Sequence, residues 1–429
     1  MSAGAAEEPL KREIGFLGSA FLSFNGLVGA GIFVLPGTLN DRFGAFSPWL
    51  FPLFGALFLV IAVPFARVTA HHPHSGGPVA YAAPFGPFAS FQAGWLYYVA
   101  RVAALAANAT VFATYLGAFW PALSQGLGRA AAILAMLALT TGINIVGVRR
   151  AIRLLDAVTL LKAAPLLLLA LAALATKLPT PSLTLPPIGE LEAAALLILY
   201  AFVGFENSVV SAGETKDARR TIPRALIVTV IATACLYTLV QLAYVAWMEP
   251  GAGGDAPLVA LADRIFGPTG AAILTVTVVF SLLGNISGGM TSATRVTYAL
   301  GRDGLAPSWF GRVNPRYATP ANSILFMGAL IAVLALSGSF VWLAIVSTLA
   351  RMFVYGLAIA ALPRLESHRA TAWLLALCGI VTCAWVAAQS TARSWQMLGA
   401  LVATGVVLFA LTRWSTKRGR IRRQHPGEG

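Results

Sequence analysis

Gly26-Leu27-Val28-Gly29-Ala30-Gly31-Ile32-Phe33, with Pro36-Gly37 shortly after it, lies inside the first long apolar run of the chain, residues 14–37. A glycine costs a helix up to about 1 kcal/mol relative to alanine, so three within six residues invite unwinding. A second interrupted stretch, Tyr200-Ala201-Phe202-Val203-Gly204-Phe205-Glu206-Asn207 and then Gly213, falls in the sixth apolar run, residues 191–211. Unwound backbone is tolerated at membrane depth only where protein or a wet cavity satisfies its N–H and C=O groups. Paired interruptions at matching positions of two halves point to a transporter's binding site. The plainer alternative is close helix packing by small residues, which is common in membranes.

The rest of the chain supports the membrane reading. Of 429 residues, 58% are hydrophobic and 11% charged, whereas a soluble domain carries roughly 25% charge. A bilayer core about 30 Å thick needs roughly 20 apolar residues in helix. Twelve such runs are found, near 14–37, 48–70, 86–118, 128–147, 154–176, 191–211, 223–248, 268–300, 322–337, 339–362, 371–389 and 395–413. The ninth and tenth are separated only by Ser337-Gly338-Ser339. The first 13 residues carry Glu7, Glu8, Lys11, Arg12 and Glu13 and the following run is long enough to span, unlike a cleaved signal peptide. Cys235, Cys378 and Cys383 all sit in apolar runs and build no disulfide framework.

The net charge of +14 is a topology signal rather than a nucleic-acid patch. Twenty-two of the 30 Lys and Arg fall on one set of span ends and five (Arg42, Arg129, Lys177, Arg264, Arg393) on the other. By the positive-inside rule both termini are expected in the cytoplasm, with residues 1–13 and the basic segment 414–429 as tails. Lys417, Arg418, Arg420, Arg422 and Arg423 could also touch anionic lipid.

A broken helix suits a zwitterion. The half-helix beginning near Gly31 offers free N–H groups and the positive end of its dipole to a carboxylate. Carbonyls freed around Leu27, Tyr200 and Val203 suit an ammonium group, and an α-amino acid carries both charges on one carbon.

At these residues the chain resembles the amino acid–polyamine–organocation (APC) superfamily of transporters. Gly29-Ala30-Gly31-Ile32-Phe33 is similar to that family's G-S-G-I-F stretch, with Ala30 in place of serine. Pro73-His74-Ser75-Gly76-Gly77, Tyr81, Phe85-Gly86-Pro87 and Gly94-Trp95 resemble its P-x-S-G-G-x-x-x-Y…F-G-P…G-W loop. Asn144 with Gly147-Val148-Arg149 resembles its N-x-x-G-V-R. Glu214 to Ala225 resembles E-x-K-N-P-x-R-x-I-P-R-A, and Arg302-Asp303-Gly304-Leu305-Ala306-Pro307 with Asn314-Pro315-Arg316 and Thr319-Pro320 resembles R-D-G-x-x-P…P-R…T-P.

The resemblance implies an all-α integral membrane fold of 12 transmembrane helices. Spans 1–5 (residues 14–176) and 6–10 (191–362) would be inverted repeats with discontinuous helices 1 and 6, and spans 11–12 (371–413) would be additional. It implies sodium-independent secondary transport of amino acids by alternating access, through proton symport or exchange, across a bacterial cell membrane. Ala30 and Gly31 amides would hold the substrate carboxylate, and the Leu27, Tyr200 and Val203 carbonyls its amine. Tyr200 would be an aromatic lid, with Phe202 beside it as a gating residue, and Asn108, Asn285, Ser287, Gly288 and Gly289 would wall the pocket.

Four ionisable residues lie at bilayer depth, where each costs about 2.5–3.5 kcal/mol on insertion scales: Arg101, Lys162, Glu206 and Arg351. Three positive charges and one negative leave an imbalance that an anion, or deprotonation, would relieve. Lys162, with Thr159 and Pro165, resembles the family's T-x-x-K-x-x-P, a lysine that reaches the first-span break where sodium would otherwise sit. Burial disfavours an ammonium ion, so Lys162 is either a clamp or the carrier of a coupled proton. Glu206 either couples protons or forms an ion pair with Arg101 or Arg351. Arg101 either reads a substrate side chain or neutralises Glu206, and the pair is the expected arrangement.

An embedded enzyme or a channel competes less well. All five histidines (His71, His72, His74, His368, His425) fall in loops or the tail, and no paired carboxylates or Ser-His set lies at membrane depth. No cofactor or metal is expected. Residues 119–128 contain no cysteine, so no disulfide-linked heavy subunit is expected, while a homodimer stays open. A polyamine or amine transporter of the same fold is the alternative substrate reading.

Overall fold

A computed structural model describes residues 12–72, 77–147, 162–210, 212–302 and 306–424. Those residues are helical and contain no β-strand; one isolated bridge joins Ile14 to Thr215. The expected motif residues Pro73 to Gly76, Val148, Arg149, Thr159 and Asp303 to Leu305 lie outside the described residues.

Eight stretches among the described residues are long and apolar enough to cross a bilayer, the most apolar, within Ala30–His71, reaching a mean hydropathy of 2.2. The helices are α1 (Phe16–Leu27), α2 (Ala30–Phe43), α3 (Leu50–His71), α4 (Gly77–Tyr81), α5 (Pro87–Phe119), α6 (Gly126–Val146) and α7 (Ala163–Thr176). They continue as α8 (Ile188–Tyr200), α9 (Asn207–Val210), α10 (Ala218–Trp247), α11 (Pro257–Arg302), α12 (Ala321–Ser337) and α13 (Phe340–Ile359). Three more close the chain: α14 (Leu362–Leu365), α15 (Arg369–Ala388) and α16 (Ala392–Gln424).

Local chemistry sets the boundaries. Ser339 caps α13, its hydroxyl accepting from the Trp342 amide, so the Ser337-Gly338-Ser339 turn separates α12 from α13. Gly267, at φ 66° and ψ −163°, kinks α11, and Pro268 then restarts the helix. The span expected near 268–300 is thus the second part of α11, and a helical segment from Pro257 precedes the kink. At the other end α16 runs past residue 413, because no proline interrupts it before Pro426.

The outer surface is apolar: Leu127, Leu168, Trp373 and Val407 are all exposed, as side chains facing lipid are. Inside, α13 and α11 pack along α5, and α10 packs along both α3 and α1. Large polar side chains are nonetheless fully buried, Arg351 and seven tyrosines among them. In hydrocarbon each needs a partner, so their hydrogen bonds decide the geometry at the centre.

Candidate functional site

α1 stops at Leu27 and α2 starts at Ala30, with Val28 at φ −79°, ψ 78° and Gly29 at φ −110°, ψ −147° between them. α8 likewise stops at Tyr200, and residues 201–206 form turns before α9. The two broken helices meet where the breaks begin. A Cβ on Gly26 would lie 2.0 Å from the Gly204 carbonyl oxygen, and one on Gly204, at φ 107°, would lie 2.4 Å from the Gly26 oxygen. Only glycine at both positions permits this backbone-on-backbone crossing. Just beyond it the Ser23 hydroxyl donates to Ser208 Oγ at 2.8 Å, fastening α1 to α9.

Three side chains hold the α1/α2 break open. Lys162 Nζ donates to Asn25 O (3.2 Å), Asn25 Oδ1 (2.9 Å) and Val28 O (2.6 Å). An ammonium has three protons and no acceptor, so this set is complete. It also places a cation at the C-terminal, negative end of α1. From the opposite side, the Ala30 amide donates to Asn108 Oδ1 (2.8 Å), Asn108 Nδ2 to Asn285 Oδ1 (2.7 Å), and Asn285 Nδ2 to Asn25 O (2.6 Å). The two asparagines form a relay from α5 and α11 that satisfies both lips of the break.

A small cavity of about 20 Å³ lies against this relay, lined by Gly29, Gly31, Asn108, Tyr200, Val203 and Arg101 among others. Gly31 is the second residue of α2, so its amide has no acceptor within that helix. Tyr200 closes one wall, its hydroxyl donating to Ala104 O at 3.4 Å and its ring meeting Phe340 edge-on at 5.6 Å. Phe340 lines a wider funnel on the far side, together with Thr114, Arg129, Asp255 and Asp263. The Tyr200–Phe340 contact therefore separates inner pocket from funnel.

At the opposite end the chain is latched. Ile14 N–H donates to Glu214 O (3.0 Å) and Lys216 N–H to Ile14 O (2.8 Å), tying the start of α1 to the segment after α9. Arg67 grips Glu366 through both guanidinium arms, at 2.7 and 2.5 Å.

Several expected site residues sit differently from their expected roles. The Ala30 amide is engaged by Asn108 instead of facing the cavity. The Leu27 carbonyl already accepts from the Tyr237 hydroxyl (3.0 Å) and the Gly29 amide (2.9 Å), which occupies both of its lone pairs. Phe202 is buried against Phe58 and Tyr237, away from the pocket lining, because its ring is the filler of an aromatic cluster. Gly289 makes room for neighbours: a Cβ there would meet Leu105 at 2.6 Å and Arg101 Nη2 at 3.2 Å.

The expected Arg101–Glu206 pair is replaced by another. Glu206 Oε1 accepts from Arg351 Nε at 3.1 Å, and Oε2 from the Tyr355 hydroxyl (2.9 Å) and the Gly204 amide (3.0 Å). Arg351 also donates to Ser347 Oγ and Ala100 O. Arg101 donates instead to Ser292 Oγ at 3.3 Å, a neutral partner. Sequence reasoning gave no role to Asn25, Tyr237 or Ser292; the signal available was that each is a polar residue inside an apolar run.

Broken apolar helices around a buried polar pocket define a membrane transport protein. The family model described as amino acid permease matches residues 14–412, so the chain belongs to the amino acid permease family of the APC superfamily. Over 425 residues the chain is 28% identical to an uncharacterized transporter from Mycobacterium tuberculosis, covering 96% of this chain and 94% of that one. Over 427 residues it is 26% identical to a cadaverine/lysine antiporter from Escherichia coli, covering 94% and 95%. The protein is a multi-pass membrane permease and not an enzyme.

Proposed function

We propose that this permease moves amino acids across the cell membrane by alternating access, without sodium, through exchange or proton symport. The observation that carries the reading is the pocket at the paired breaks, where the Gly31 amide can meet a carboxylate and the Val203 and Tyr200 backbone an amine. The Lys162 ammonium on the Asn25 and Val28 carbonyls supports sodium independence, since it fills the oxygens a metal ion would need. The Tyr200–Phe340 contact serves as the outer gate, and the Ile14 bridge with the Arg67–Glu366 pair as the inner one.

Twelve spans, both termini in the cytoplasm and a bacterial inner membrane complete the reading, with residues 14–176 and 191–362 as inverted repeats and 371–413 appended. Two interruptions five spans apart, crossing at Gly26 and Gly204, support the repeat. A second reading, transport of amines, is favoured by the name of the Escherichia coli relative.

Counterflow in proteoliposomes tests the proposal. Saturable exchange of a labelled amino acid, unchanged when potassium replaces sodium, is expected; non-saturating flux would favour a channel, and strict sodium dependence would contradict the role of Lys162. The Lys162→Ala variant strands three acceptors and should lower exchange at least tenfold, since each lost charge-assisted bond is worth about 1.5–3 kcal/mol. A pH profile of uptake that survives Lys162→Ala unaltered would make the lysine a clamp and exclude it as proton carrier.

A further inference from the structure

We propose that Arg101 selects α-amino acids whose side chain ends in an anion. The inference rests on the transport reading above and names the substrate class of that site. Arg101 lines the pocket, is 3% exposed, and has one hydrogen-bond partner, the neutral Ser292 hydroxyl. Its Nε is buried with no hydrogen-bond partner among the described residues. A guanidinium does not give up its proton, so a buried one keeps its charge and must be answered by something.

Among the described residues no carboxylate hydrogen-bonds to it, although the Glu206 charge lies near enough to be felt. Glu206, the acid at this depth, has both oxygens occupied by Arg351, Tyr355 and the Gly204 amide. The pocket lining itself contains two arginines and no acid. With Glu206 cancelling Arg351, the site carries positive charge that an occupant has to balance.

The placement of Arg101 makes that occupant's side chain the source of the anion. The backbone groups suited to an α-carboxylate and an α-amine are at Gly31, Tyr200 and Val203, on the broken helices. Arg101 reaches the same cavity from α5, beside Ala104 and Leu105, so a carboxylate there is a second one. The planar fork of a guanidinium fits a carboxylate with two parallel hydrogen bonds, and Nε is one of the donors available. A diamine or lysine would instead bring a further cation to a pocket without an acid.

The test is counterflow by the full-length protein in proteoliposomes, using labelled glutamate, leucine, lysine and cadaverine in separate assays. Unlabelled glutamate, aspartate and glutamine serve as competitors. Labelled glutamate should exchange fastest, with glutamine at least tenfold weaker as a competitor than glutamate. Arg101→Gln should weaken glutamate by roughly tenfold to a hundredfold and bring glutamine level with or above it. Arg101→Lys should restore part of the preference, and the melting temperature of each variant in detergent shows whether it is folded. Exchange of leucine, lysine or cadaverine without glutamate would overturn the assignment while leaving the transport reading intact. An equal loss of glutamate and glutamine in a folded Arg101→Gln protein would also overturn it, since Arg101 would then hold the α-carboxylate. Exchange of none of the four would overturn the transport reading, and this assignment with it.

Discussion

Gly26→Ala is expected to abolish exchange and to lower the melting temperature of the purified protein. The added methyl would sit 2.0 Å from the Gly204 oxygen, 2.8 Å from the Gly204 carbonyl carbon and 2.5 Å from Asn207 Nδ2. Overpacking a dense interior costs about 1–3 kcal/mol when side chains can yield, and more when the obstacle is backbone. Gly204 cannot retreat, because its amide is held by Glu206 and its φ of 107° suits glycine alone. Gly204→Ala should be worse, paying the strain of its backbone conformation as well as the collision. Gly142→Ala is the comparison: a Cβ there meets nothing within 4 Å inside α6, and alanine should gain up to about 1 kcal/mol. Counterflow and detergent melting curves on the three variants decide the matter. Wild-type exchange by Gly26→Ala would sink the idea that the helices cross backbone on backbone.

The same pair of glycines shows what a linear reading can and cannot see. Their cost to a helix is a local property, so the two interruptions were legible in the sequence. Helices long enough for a bilayer were equally legible, because hydrocarbon thickness fixes the length of an apolar run. At Gly267 in α11 the apolar pattern placed a boundary where the helix restarts, but did not show the helical segment before it. That Gly26 faces Gly204 is a long-range fact, set by how α1 crosses the turn segment before α9.

Site residues divide along the same line. That Arg101, Lys162, Glu206 and Arg351 would need partners was readable from the cost of charge in lipid, a property of each residue alone, and all four are buried. Which of two arginines meets Glu206 was not, since Arg351 lies 145 positions away and the outcome depends on helix rotation. Backbone amides and carbonyls were the hardest to assign. The break leaves several unpaired, and the sequence does not show that Asn108 would claim the Ala30 amide or Tyr237 the Leu27 carbonyl. Side chains that satisfy the break compete with substrate for the same groups, so fewer remain for ligand than the glycine pattern suggests.

The ion pair at Glu206 carries the other large effect. Arg351→Met should destabilise the protein by about 3–5 kcal/mol, because it leaves a carboxylate buried without its cation. Glu206 would keep the Tyr355 hydroxyl and the Gly204 amide, so the lower end of that range is expected. Glu206→Gln should cost a similar amount, stranding Arg351 with Ser347 and the Ala100 carbonyl. The double variant removes both charges together. Neutralising a buried pair at similar volume is often close to neutral, so it should recover at least about 1–2 kcal/mol relative to the summed singles. Melting curves of the four proteins measure that coupling, and strictly additive losses would show that the contact is not an ion pair in the working protein. The refolded double variant then separates structure from transport. If the pair only fastens α13 to the break before α9, exchange should return with stability. If Glu206 must gain and lose a proton during each cycle, the double variant stays stable and silent, because glutamine and methionine offer nothing to titrate.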